Sequence, residues 1–230
     1  VPEIALIVGT GSGLSAALAR LFHREGMRLA LAARRPDKLA ALCTETGARA
    51  YACDVSVRAD VDALFKAVSA DIGTPDLVVY NPSYRTRGPV VELDPDEVLK
   101  TITVTCYGGF LVGQQAARIM LKNGHGTILF TGASASIKGY ARSAPFAMGK
   151  FGLRGLAQSM ARELAPQNIH VAHFVIDGGI GQANDARANE RGPDGLLEPA
   201  AIAASYLHVH RQARSAWTAE LELRPWVESY

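Results

Sequence analysis

Short apolar runs alternate with longer amphipathic ones along this chain. Ile4 to Val8, Leu29 to Ala33, Ala48 to Ala52, Leu77 to Tyr80, Thr127 to Phe130 and Ile169 to Ile176 are too short for buried helices. Most of them lack polar alternation, which is the pattern of strands covered on both faces. A last strand is expected near Ala216 to Leu223. Helices fill the intervals: one to about Glu25 that stops at Gly26, one from Pro36 to about Thr46 that stops at Gly47, one from Ser143 to Ala165 and one from Pro199 to His210. Val61, Leu64, Phe65, Val68 and Ile72 fall at helical spacing, with Ser56 placed to cap that helix and Gly73 to end it. Asp94-Pro95-Asp96-Glu97 has the form of a capping box with proline at the first helical position, and it predicts one long helix from there to about Met120. The stretch from Asp177 to Glu198 is polar and rich in Gly, Ala and Asn, which predicts a mobile segment over a site.

Strands apolar on both faces, alternating with helices, predict a single-domain α/β fold with a doubly wound parallel sheet between two helical layers. Ligands of such sheets bind beyond the carboxyl ends of the strands, where strand order reverses. The composition narrows the ligand class. With 24 Lys and Arg against 22 Asp and Glu, spread along 230 residues, nothing favours nucleic acid or an anionic membrane. The absence of an apolar run near ~18 residues or of a signal-peptide pattern leads to an expectation of a cytoplasmic protein. Cys43, Cys53 and Cys106 form no C-x-x-C pair and read as apolar filler in a reducing compartment.

The candidate chemistry begins after the first strand, at Gly9-Thr10-Gly11-Ser12-Gly13-Leu14. A glycine turn opening a helix presents bare backbone N–H groups, which suit a phosphate. The spacing is not G-x-G-x-x-G, so the loop alone is a weak motif. At the end of the second strand, where an acidic residue would accept the ribose 2′-OH of NAD, the chain has Arg34-Arg35. Guanidinium groups there favour the 2′-phosphate, hence NADP(H) over NAD(H). Asp54 and Asn81 follow the third and fourth strands and are short polar groups that either reach adenine and ribose or cap local turns.

Over nearly its whole length the chain resembles the short-chain dehydrogenase/reductase family. The matching features are Gly9-x-x-x-Gly13, Asp54-Val55, Tyr80-Asn81-Pro82-Ser83, Lys150 opening the helix from Phe151 to Glu163, and the strand Ile169 to Ile176. The resemblance implies a Rossmann-like sheet of seven parallel strands, an NAD(P) cofactor and a homodimer or homotetramer. It also implies four catalytic positions: a tyrosine, a lysine four residues later, a serine thirteen before the tyrosine, and an asparagine in the long helix. Here they hold Phe146, Lys150, Ala133 and Thr105, with Ser134 one residue after the serine position. Ser15 stands where the family has a third glycine, and Asp177-Gly178 where it has Pro-Gly.

Lys150, Ser134 and Thr105 are therefore the candidate catalytic residues. Gly9, Gly11, Ser12, Gly13, Leu14, Arg34, Arg35, Asp54, Val55, Asn81, Pro82, Lys150 and Gly178 are the candidate cofactor contacts. The alkoxide left by hydride transfer needs a proton as it forms, and phenylalanine has none to give. Tyr84, Tyr140, Ser143, Ser134, or Lys150 through a water are the substitute donors within reach of the pattern. Two functions follow: an NADP(H)-dependent oxidoreductase of a small carbonyl or alcohol with a nonstandard proton donor, or an NADP(H)-binding relative without the chemistry, acting as a sensor or partner subunit. His170 and His173 lie on a strand and His208 and His210 sit two apart on a helix, so neither pair is expected to bind a metal.

Overall fold

The computed structural model describes residues 1–182 and 185–228. Seven strands form one parallel sheet: β1 (Ile4–Val8), β2 (Arg28–Ala33), β3 (Arg49–Ala52), β4 (Leu77–Tyr80), β5 (Gly126–Thr131), β6 (Ile169–Ile176) and β7 (Glu220–Leu223), in the order β3-β2-β1-β4-β5-β6-β7. The order reverses between β1 and β4, which pair with Val8 opposite Tyr80. Gly9 and Asn81 consequently emerge side by side at the carboxyl edge of the sheet, where Asn81 donates its backbone N–H to Val8 O at 3.0 Å.

Alternate residues of each strand face opposite helical layers. Leu6 and Val8 join Val78, Tyr80, Ile128 and Phe130 under α3 (Arg58–Asp71), α5 (Gly108–Asn123) and α6 (Ala144–Leu164). Ala5 and Ile7 join Val79, Leu129 and Phe174 under α1 (Leu14–Arg24) and α8 (Pro199–His210). Burial of both faces is why these strands read as unbroken apolar runs. The remaining helices are α2 (Ala40–Thr46), α4 (Pro95–Ile102) and the short α7 (Arg187–Arg191). No helix among the described residues is long and apolar enough to cross a membrane.

Four local expectations are corrected. Ser56 does not cap α3, whose N-cap is Val57; its hydroxyl instead donates to Asp54 Oδ1 at 2.6 Å. Asp94 does cap α4, accepting from the N–H of Asp96, but Glu97 faces away and accepts from the Tyr84 hydroxyl at 2.7 Å. The long helix is not continuous, because Thr103–Tyr107 is a π-turn between α4 and α5. The last strand starts late: a 3₁₀ turn spans Arg214–Ala216, and sheet pairing begins at Glu220. The stretch expected to be mobile carries α7 and a parallel bridge between Ile180 and Leu197; its residues 183 and 184 lie outside the described residues.

Candidate active site

The nucleotide loop is held by a small set of contacts. Gly9 has φ +82°, and a Cβ there would lie 2.6 Å from Pro82 N, so the turn depends on glycine for its angles and for the close approach of the segment after β4. The N–H groups of Gly9 and Thr10 are spent on Ala32 O, at 3.0 and 2.9 Å. Gly11 and Gly13 have open space where a Cβ would project, and Gly13 begins α1 with no side-chain cap. An uncapped helix start in open space is a fitting cradle for a pyrophosphate. Leu14 contributes only its backbone, since its side chain is in the core.

Ser15, in place of the family's third glycine, locks the loop by side chain. Its hydroxyl donates to Gly9 O at 3.1 Å and accepts from Asn81 Nδ2 at 2.7 Å. Asn81 thus holds the loop through its amide.

Two cavities flank this loop. One, of about 320 Å³, is lined by Gly9, Arg34, Asp54, Val55, Asn81 and Pro82 among others. The other, of about 590 Å³, is lined by Gly11, Ser12, Arg34, Arg35 and Lys38 among others. Arg34 lines both, between the adenine-sized space and the basic one. Burial pushes the Asp54 carboxyl up, but the hydrogen bonds from Ser56 and the charge of Arg34 outweigh it and hold the group below its ordinary value. Lys38 was not anticipated; its place one turn past Arg34 in a segment starting with Pro36 was the available signal. The residues present fit a nucleotide bearing an additional phosphate.

At the other end of the site, Lys150 is fully enclosed on α6 and donates to Thr131 O at 2.7 Å. Burial first, and then the Arg85 charge, push its pKa down to about 7. Phe146, one turn earlier, is buried with its ring centroid 5.7 Å from Lys150 Nζ. The opposite contact is unexpected: the guanidinium carbon of Arg85 stands 3.9 Å from the same ring centroid.

The candidate proton donors separate in space. Tyr84 directs its hydroxyl to Glu97, with the Lys100 ammonium 4.5 Å from its ring centroid. Thr105 lies in the π-turn, completely buried, with its hydroxyl 3.3 Å from Tyr84 O and its Cβ where any side chain at Gly149 would have to go. That is a packing position beside Lys150. Ser134, Tyr140 and Ser143, by contrast, line one cleft of about 610 Å³, together with Asp177 and Gly178. Gly178, expected among the cofactor contacts, lines this cleft and neither of the two beside the glycine loop. Asp177 is buried against Arg224, at 2.7 Å, and Lys138, at 3.6 Å, both bound through the same carboxylate oxygen.

Of the four histidines on β6 and α8, His173 donates its Nδ1–H to Glu220 Oε2 at 3.0 Å, and burial pushes its pKa down to about 4. Arg154 grips the same carboxylate through both its oxygens, each at 2.7 Å. His170 stacks on Trp217 with ring centroids 4.6 Å apart. No group of three or more His, Cys, Asp or Glu side chains among the described residues could hold a metal ion.

The model of the short chain dehydrogenase family matches residues 3–190. A tropinone reductase-like protein 1 of Erythroxylum coca is 33% identical over 204 residues, covering 85% of this chain and 74% of that protein. Among solved structures, a short-chain dehydrogenase from Rhodopseudomonas palustris is 35% identical and superposes with a TM-score of 0.84 over 97% of this chain and 99% of that one. A metagenomic short-chain oxidoreductase in complex with NADP is 27% identical, with a TM-score of 0.85 over 98% of both chains.

Proposed function

The chain belongs to the short-chain dehydrogenase family, and from that premise we propose that it is an NADP(H)-dependent oxidoreductase of a small carbonyl or alcohol, with a proton donor other than the family's tyrosine. The observation that carries the cofactor reading is the pairing of an uncapped glycine loop with Arg34, Arg35 and Lys38 around one cavity. The loop N–H groups hold the pyrophosphate, and the three cations hold the 2′-phosphate. NADP supplies or takes up the hydride when bound. Everything else is the work of side chains. Lys150, whose proton leaves near neutral pH, is the store from which a proton reaches the substrate oxygen, through the hydroxyls of Ser134, Tyr140 or Ser143 or through a water. Phe146 keeps water from one side of Lys150 without taking part in the transfer.

Phe146 also supports the second reading, that of a relative that binds NADP(H) without turning substrate over. Loss of a positioned acid costs ~10²- to 10⁴-fold, and loss of a carbonyl-polarising donor adds to that. The exposed Leu99, Phe110, Met148 and Phe151 on α4, α5 and α6 provide apolar surface for the homodimer or homotetramer expected of such a chain.

Fluorescence titration tests the cofactor reading: NADPH is expected to bind about tenfold or more tightly than NADH, as two charge-assisted hydrogen bonds would provide. A tenfold preference for NADH would overturn it. Turnover of aldehydes and ketones by the native protein, lowered by Tyr140→Phe, supports the enzyme. Turnover that appears only in the Phe146→Tyr, Ala133→Ser double variant supports the binding relative.

A further inference from the structure

The cleft next to Phe146 holds more positive charge than its own carboxylates neutralise. Its walls include Arg85, Arg87, Arg142 and Arg191, against Asp177 and Glu228. Both carboxylates are already matched: Asp177 by Arg224 and Lys138, Glu228 by Arg191. Among the described residues, no carboxylate pairs with Arg85, Arg87 or Arg142.

These three guanidinium groups are brought together by backbone. Arg142 has φ 61°, a left-handed conformation uncommon in a residue of its size. Its carbonyl accepts the N–H of Gly88 at 3.0 Å, which ties the segment carrying Arg85 and Arg87 to the one carrying Tyr140 and Arg142. Arg85 is also partly desolvated, with burial and then the Arg87 charge lowering its pKa. Cations held close to each other, with no internal counter-charge, over a hollow that includes three hydroxyl groups, are a receptor for an anion.

We propose that this cleft binds the oxyanion of a small carbonyl compound or its alcohol, a carboxylate or a phosphate, through Arg85, Arg142 and Arg87. The site is separate from the 2′-phosphate cations, which belong to the other end of the sheet edge. Arg85, 3.9 Å from the Phe146 centroid, places the oxyanion close to the reacting end, so the carbonyl lies near it in the molecule. The proposal rests on the oxidoreductase reading only for the word carbonyl; the anion site stands on its own charges.

The test is calorimetric titration of the protein saturated with NADP⁺, using pyruvate, methyl pyruvate and dihydroxyacetone phosphate, and repeated without nucleotide. Pyruvate or dihydroxyacetone phosphate should bind about tenfold more tightly than the uncharged ester. Whichever is tighter identifies the source of the oxyanion. Arg85→Gln and Arg142→Gln should each weaken that binding about tenfold, with NADPH affinity unchanged, while Arg58→Gln on the far surface of α3 leaves both alone. Equal binding of the ester and the acids, or no loss in either variant, overturns the proposal. The nucleotide-free titration separates the two readings: anion binding without NADPH binding leaves the cleft and removes the cofactor, and NADPH binding without anion binding does the reverse.

Discussion

Replacing Lys150 with methionine should make the protein more stable below neutral pH and no more stable, or less so, near pH ~10. The ammonium is fully enclosed, and burial together with Arg85 takes its pKa from 10.5 to about 7. Below about pH 7 the folded and unfolded chains are both protonated there, and the folded one carries the charge at a cost. Between about 7 and 10.5 the unfolded chain holds a proton that the folded one has released, so native stability climbs with pH through that window. Above it both forms are neutral and the cost is gone. At about 1.4 kcal/mol per unit, the interval is a ceiling of about 5 kcal/mol. Methionine fills similar space without charge but leaves Thr131 O without its 2.7 Å donor, a loss of about 1 to 3 kcal/mol. A net gain of about 2 to 4 kcal/mol at low pH remains, shrinking to zero or below at high pH. Urea unfolding of both proteins at pH ~6 and ~10 reads it directly as a shift in midpoint at equal slope. A variant less stable at the lower pH, or an offset that is the same at both, would refute the account of Lys150 as a charge held against its burial.

Gly9→Ala should cost about 2 kcal/mol or more and weaken NADPH binding, since φ is +82° and the new methyl would meet Pro82 N at 2.6 Å. Unchanged thermal stability would show that the turn has another way to relax. For Glu220→Gln, removal of the carboxylate that raises the His173 pKa should take that value below its present value of about 4, followed by NMR titration of the ring; a rise would contradict the pairing.

The central strands were legible because both faces of each are buried, so an apolar run and a strand coincide almost residue for residue from Ile4 to Val8, and from Ile169 to Ile176 apart from its two histidines. β7 was less so, because it is an edge strand of mixed burial, Glu-Leu-Glu-Leu, and nothing local separates it from the preceding turn. The nucleotide loop was legible from its glycines and from Arg34 and Arg35, whose neighbours in sequence are also neighbours in space. The Arg85, Arg87 and Arg142 cluster was not, because it exists only once Gly88 is bonded to Arg142 across two distant loops. For the same reason the sequence offered five substitute donors on equal terms, and only packing distinguished Tyr84, turned to Glu97, from the three hydroxyls in the cleft.

The break at Thr103–Tyr107 carries a consequence for how this region tolerates change in length. α4 packs on α6, while α5 packs on α3 and β5, so the two halves of what looked like one helix must aim their apolar stripes in different directions. An α-helix turns about 100° per residue, and the wider π-turn absorbs one residue's worth of that rotation. It acts as a phase adjuster. Deleting one residue there would close the wide turn into an unbroken α-helix without re-aiming either half, whereas deleting one residue within α5 would rotate everything beyond it by about 100°. Thr103–Tyr107 is thus the one place along this helix pair with a spare residue to lose, while α4 and α5 themselves have none.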